Sequence, residues 1–114
     1  LHTGQKPHVP AALDQAERLA PDNPDLWDNR GVAWAAAADY AQAETAFNRA
    51  IALDSRHAHA HFNLGTVREE RGDLTGAATA YRRAAALDLG FADPHYRLAL
   101  LAREAGDLAA ARTD

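Results

Sequence analysis

Three histidines alternate at His57, His59 and His61, and metal binding is the first chemistry such a cluster invites. Residues two apart on a helix diverge, so only His57 and His61 could share a face. Two imidazoles without a carboxylate or third ligand make a poor zinc site. The plainer reading is solvent and groove histidines at the start of a helix. Glu69-Glu70 offers two carboxylates, but adjacent helical positions do not converge on one substrate atom. Arg82-Arg83 reads as surface charge on a helix. The chain has no cysteine, which removes disulfides, thiolate metal sites and a cysteine nucleophile. It has no phosphate loop, Ser/His/Asp set or nucleotide fingerprint. No catalytic residue, metal or cofactor is therefore expected.

More informative are two amides, Asn29 and Asn63, that stand 34 residues apart. An amide side chain both donates and accepts. Placed at equal positions of a repeating structure, two of them could pair with the backbone of an extended peptide without reading its side chains. The plainer alternative is that these asparagines only cap or bridge helices. Either way, the question becomes which elements hold them in line.

The elements are legible as a repeat. At an offset of 34, Leu26-Trp27-Asp28-Asn29-Arg30-Gly31 falls on Ala60-His61-Phe62-Asn63-Leu64-Gly65. At the same offset Ala43 meets Ala77, Phe47 meets Tyr81, Ala50 meets Ala84 and Leu53 meets Leu87. A further step takes Asp73 to Asp107, Gly72 to Gly106 and Ala77 to Ala111. Alanine dominates the composition and β-branched residues are few, so an all-α chain is expected. Asn23-Pro24 and Asp93-Pro94 read as N-caps followed by a proline at the first helical position. Gly72-Asp73 and Gly106-Asp107 read as a helix stop followed by a new cap, with Ala38-Asp39 doing the same without the glycine. Such short turns force antiparallel hairpins. Small residues at Gly31, Gly65, Ala43 and Ala77 would let paired helices touch. Trp27, Trp34, Phe47, Tyr81, Leu53 and Leu87 would fill the gaps.

A 34-residue unit with early Trp and Gly, then late Ala, Phe/Tyr and Ala, resembles the tetratricopeptide repeat. The resemblance implies an α-solenoid of antiparallel helix–turn–helix repeats in a right-handed superhelix. It divides the chain into a tail or linker at 1–8 and an array at 9–114. Within the array, 9–23 is a half repeat carrying Leu13, Ala16, Leu19 and Pro21. Two whole repeats follow at 24–57 and 58–91, then a truncated one at 92–114 that stops early in its second helix. Arg30, Arg68 and Ser55 depart from the family pattern. The start at Leu1 and the stop at Asp114 read as a piece of a longer chain, and the open half repeats would leave apolar faces at both ends.

In this family the first helices line a concave face that holds partner segments. By register the inner residues are Asp25, Asp28, Asn29, Val32 and Ala36. Next come His59, Phe62, Asn63, Thr66 and Glu70, then Asp93, Tyr96, Arg97, Leu100 and Glu104. The asparagine pair resembles the inner ladder of O-linked N-acetylglucosamine transferases, with Arg97 in place of a third rung. The family's carboxylate clamp for chaperone tails is matched at Asn63 and Arg97. It is broken at Asp28, Val32 and Asp93, and acids there repel a carboxylate. A basic or neutral segment fits that entrance better.

The expected function is a protein–protein interaction module holding a peptide or partner segment in its groove. The alternatives are the substrate-recruiting repeats of a larger enzyme such as a glycosyltransferase, or a scaffold that self-associates through its ends. The net charge of -4 and scattered basic residues argue against nucleic acid. The apolar runs are too short to cross a membrane, and no secretory signal precedes the array. The sequence does not fix the compartment, and it favours the cytoplasm only slightly.

Overall fold

The computed structural model describes residues 23–112, with side chains described through Gly106. The tail at 1–8 and the half repeat's landmarks from Leu13 to Pro21 lie outside the described residues. Within the described residues five α-helices follow one another: α1 (Pro24–Ala36), α2 (Tyr40–Leu53), α3 (Ala58–Glu70), α4 (Leu74–Leu87) and α5 (Ala92–Arg112). Among the described residues there is no strand. α1 pairs with α2 and α3 with α4, α2 packs on α3, α4 packs on α5, and α1 also touches α3. This nearest-neighbour stacking makes the architecture an all-α helical-repeat solenoid.

The repeat spacing recurs as repeated local chemistry. Asn23 caps α1 by accepting the Asp25 N–H at 2.9 Å, with Pro24 as the first helical residue. Asp39 and Asp73 cap α2 and α4, accepting from the N–H of Gln42 at 3.3 Å and of Gly76 at 2.9 Å. Asp54 and Asp88 each accept the N–H two residues on, from Arg56 at 3.0 Å and Gly90 at 3.1 Å. These aspartate turns direct the chain out of each hairpin, at the place where the family's proline is missing.

The turn inside each hairpin needs a residue at positive φ. Gly72 supplies it at 85° and Ala38 at 63°. An alanine in the left-handed region is held there at a cost of about 1–2 kcal/mol. Ala38→Gly should therefore raise stability by about 1 kcal/mol after the larger unfolded-state entropy of glycine is subtracted. A thermal melt that shows no rise in Tm would refute this.

The core is built from small residues and two large rings. Ala43, Ala50, Ala77 and Ala84 are fully buried. Phe47 and Tyr81 are buried beside them at equivalent positions. A Cβ at Gly31 would overlap the Phe47 ring, and one at Gly65 would lie 2.6 Å from ring atoms of Tyr81. The paired helices touch where the repeat lacks a side chain. Trp27 and Trp34 are only half-buried. Leu53, expected to fill a gap, is 37% exposed, because α2 ends there and the chain turns away.

Two expected helix boundaries are corrected. Asp93-Pro94 is not a cap followed by a helix start, since α5 already begins at Ala92 and both residues lie in its first turn. Proline is tolerated there because that N–H has no helical partner. Nor does Gly106-Asp107 end a helix: α5 runs through both to Arg112, so within the described residues the third unit is one continuous helix. In the first two units Phe47 and Tyr81 lock the returning helix against a glycine. The segment Leu108-Ala109-Ala110-Ala111-Arg112 favours continued helix.

Candidate functional site

The first helices α1, α3 and α5 stand side by side, and two hollows open between them. The hollow between α1 and α3 encloses about 380 Å³ and is lined by Val32, Ala35, Ala36, Tyr40, Phe47, Asn63, Thr66, Val67 and Glu70. The one between α3 and α5 encloses about 340 Å³ and is lined by Phe62, Asp93, Tyr96, Arg97 and Leu100. Ten of the residues expected on the inner face thus line one hollow or the other: Val32, Ala36, Asn63, Thr66 and Glu70 in the first, and all five in the second. Val32 is 47% exposed and Tyr96 66% exposed, both unusual for large apolar side chains beside a core.

The other expected residues divide. Asn29 is exposed, as are Asp25, His59 and Glu104. Asp28 is not: it is 8% exposed, and its Oδ1 accepts the Asn63 amide at 3.0 Å. This corrects the expectation of an acid at the groove entrance. A buried carboxylate must be hydrogen-bonded, and the neighbouring helix brings Asn63 to it. The two asparagines therefore share a register but not an environment. Asn29 is open to solvent, while Asn63 bridges α1 and α3 with one of its donors. Thr66 is likewise engaged, its hydroxyl donating to the Asn63 carbonyl at 2.7 Å.

His57 is the functional group that sequence reasoning missed. It is the N-cap of α3, with Nδ1 accepting the Ala60 N–H at 3.0 Å. Its Nε2 then carries the proton and donates to Asp25 Oδ1 at 2.7 Å. One ring thus caps its own helix and ties it to α1. The signal was present, since His57 occupies the repeat position of Asn23, but histidine is uncommon as a cap.

The joint between α3 and α5 is aromatic. Phe62 lies 5.5 Å from Tyr81 and 5.1 Å from Phe91, and His59 lies 4.6 Å from Phe91, all ring to ring and tilted. Phe62 is thereby half structural, which its place in the expected groove did not reveal. Beneath it the buried Tyr81 hydroxyl donates to Glu69 Oε1 at 2.7 Å, and Arg97 approaches Glu69 Oε2 at 3.7 Å. Burial first, then the Glu69 hydrogen bond and charge, push the Tyr81 phenol well above its ordinary pKa, so it remains a donor. Arg68, which replaces a usual aromatic, bonds Glu44 at 3.4 Å and the Gly76 carbonyl at 3.3 Å.

His61 sits outside the hollows. Its Nε2 donates to the Ser55 carbonyl at 3.0 Å, and burial is the main cause that lowers its pKa from 6.5. A histidine whose folded pKa is depressed contributes stability that is present above the unfolded pKa and is lost as pH falls through the folded one. Melting temperature should therefore drop below about pH 6.5, and His61→Gln should flatten part of that drop. An unchanged profile in the variant would refute the assignment.

Among the described residues no group of three His, Cys, Asp or Glu could hold a metal, and no helix is long and apolar enough to cross a membrane. A third hollow, of about 330 Å³ between α4 and α5, is lined mainly by Leu74, Ala78, Leu98, Leu101 and Ala102.

Stacked hairpins with a shared first-helix face define a helical-repeat protein, and comparison with known proteins gives the family. The sequence profile of the tetratricopeptide repeat matches residues 35–94. The chain belongs to the tetratricopeptide repeat family, whose fold serves as a protein-interaction module. No curated protein sequence matches it. Among solved structures it is similar to MamA, with 25% identity, a TM-score of 0.79, and coverage of 84% of this chain and 56% of that one. It is also similar to the first tetratricopeptide domain of Spaghetti (RPAP3), solved with an HSP90 peptide. Identity there is 24%, TM-score 0.79, and coverage 84% of this chain and 76% of that one. The Thermobaculum terrenum O-GlcNAc transferase matches with 28% identity and a TM-score of 0.76, over 80% of this chain and 18% of that one. The chain thus spans about half the length of MamA and a small part of the transferase.

Proposed function

We propose that the chain holds an extended segment of another protein along the face made by α1, α3 and α5. The observation that carries this reading is the pair of successive hollows on that face, each with an exposed large apolar side chain at its edge, Val32 and Tyr96. Asn29, exposed and one turn from Val32, adds an amide suited to a peptide backbone. The solved complex of Spaghetti (RPAP3) with an HSP90 peptide is in keeping with peptide binding, although the chaperone-tail clamp is broken here.

The test is a peptide selected on the purified chain from a random decapeptide library, its affinity then measured by fluorescence anisotropy. Val32→Ala and Tyr96→Ala should each weaken it by about fivefold or more, and Asn48→Ala on the exposed side of α2 should not. Equal affinity for all of them would refute the groove. Phe62→Ala is a poor probe because it also loosens the aromatic joint.

A second reading has support from the transferase match: the array would recruit substrate for a catalytic domain in a longer protein. A host sequence with no catalytic domain would remove it. The apolar hollow between α4 and α5 supports self-association through that end, which sedimentation across concentrations would detect.

A further inference from the structure

The two hollows share a construction that speaks to what the bound segment carries. In the α1–α3 hollow the walls are aliphatic, from Val32, Ala35, Ala36 and Val67, with the Phe47 ring beneath and the Tyr40 ring at one side. The single ionisable carboxylate is Glu70, which is exposed and makes no ion pair or hydrogen bond among the described residues. In the α3–α5 hollow the walls are Phe62, Tyr96 and Leu100, and the unengaged ion is again a carboxylate, Asp93. The cation lining that hollow, Arg97, already approaches Glu69. Each hollow therefore pairs an apolar wall with one uncompensated negative charge.

We propose that the α1–α3 hollow receives a lysine or arginine side chain of the bound segment, its methylene stem against Val32, Ala35 and Ala36 and its charged head at Glu70. This rests on the groove reading above and adds the chemistry of the occupant. A long basic side chain is the one natural type that is apolar along its length and cationic at its tip. An acidic side chain would meet Glu70 with like charge, and a wholly aliphatic one would leave the carboxylate to be desolvated without a partner. The preferred segment is thus extended, with a basic side chain reaching the α1–α3 cleft.

Selection from a random decapeptide library on the wild-type chain tests this, followed by anisotropy with single substitutions in the best binder. Enrichment of Lys or Arg is expected. Replacing the critical basic residue with norleucine should weaken binding to the wild-type chain about three- to fivefold, and should change nothing on Glu70→Gln. Glu70 is exposed, so the variant keeps the fold, which a thermal melt verifies. Acidic or neutral peptides whose binding still depends on Val32 and Tyr96 would overturn the basic occupant and leave the groove standing. Peptides insensitive to Val32 and Tyr96, or no peptide at all, would overturn both readings. A basic peptide that binds Glu70→Gln as well as wild type would overturn the role given to Glu70.

Discussion

Tyr81→Ala should destabilise the protein by about 3–5 kcal/mol, the range for deleting a fully buried aromatic ring. Tyr81 has no solvent exposure. Its ring fills the space above Gly65 and meets Phe62, and its hydroxyl holds Glu69. Removing it empties the middle of the second hairpin, where Ala77, Leu101, Phe62 and Leu98 pack together around it. Urea unfolding should show the midpoint falling steeply. Tyr81→Phe should cost about 1 kcal/mol, the share of one hydrogen bond. If the alanine variant lost no more than the phenylalanine variant, the ring would not be the keystone that its burial indicates.

Gly65→Ala should also destabilise, by about 1–3 kcal/mol, although alanine is the better helix former. The added methyl would sit 2.6 Å from Tyr81 Cδ1 and Cε1, and the ring is buried on all sides. Propensity and packing pull in opposite directions here, which makes the combination decisive. In the Tyr81→Ala background the obstacle is gone, and Gly65→Ala should then stabilise by up to about 1 kcal/mol. A reversal of sign between the two backgrounds is the expected outcome. The same loss in both would mean that Gly65 is needed for its backbone freedom and not for the approach of the ring.

The features legible in the sequence are those fixed by backbone geometry. Asp39 and Asp73 are caps because a short polar side chain after a helix stop has few other uses, and Gly72 sits at positive φ as its position demands. Gly31 and Gly65 were legible as contact points because their ring partners recur at the same offset. What escaped were choices made between neighbours. Asp28 and Asn63 lie 35 residues apart, so periodicity aligns neither with the other, and their hydrogen bond turned an expected groove acid into a buried one. His57 took a cap from a position where histidine suggested metal or solvent. Phe91, at the end of one unit, was not expected to join a cluster with His59 and Phe62. Nor does the Gly106-Asp107 pair act as the stop that its repeat position suggests, since α5 passes through it. Register placed many of the expected inner residues beside the hollows, but not Ala35, Tyr40, Phe47 and Val67, and not the partners each residue had already engaged.

Alanine at the contact positions has a mechanical side. Ala43, Ala46, Ala50, Ala77, Ala80 and Ala84 are 3% exposed or less, so backbones meet with only a methyl between them. Interiors packed to this density transmit displacement and do not absorb it. A shim of one extra carbon in one hairpin would tilt the layer resting on it, and that tilt would be handed on undiminished to the next. The reach between distant points of the ribbon is therefore governed by the thinnest side chains in it, and a longer array would amplify every such change like a lever.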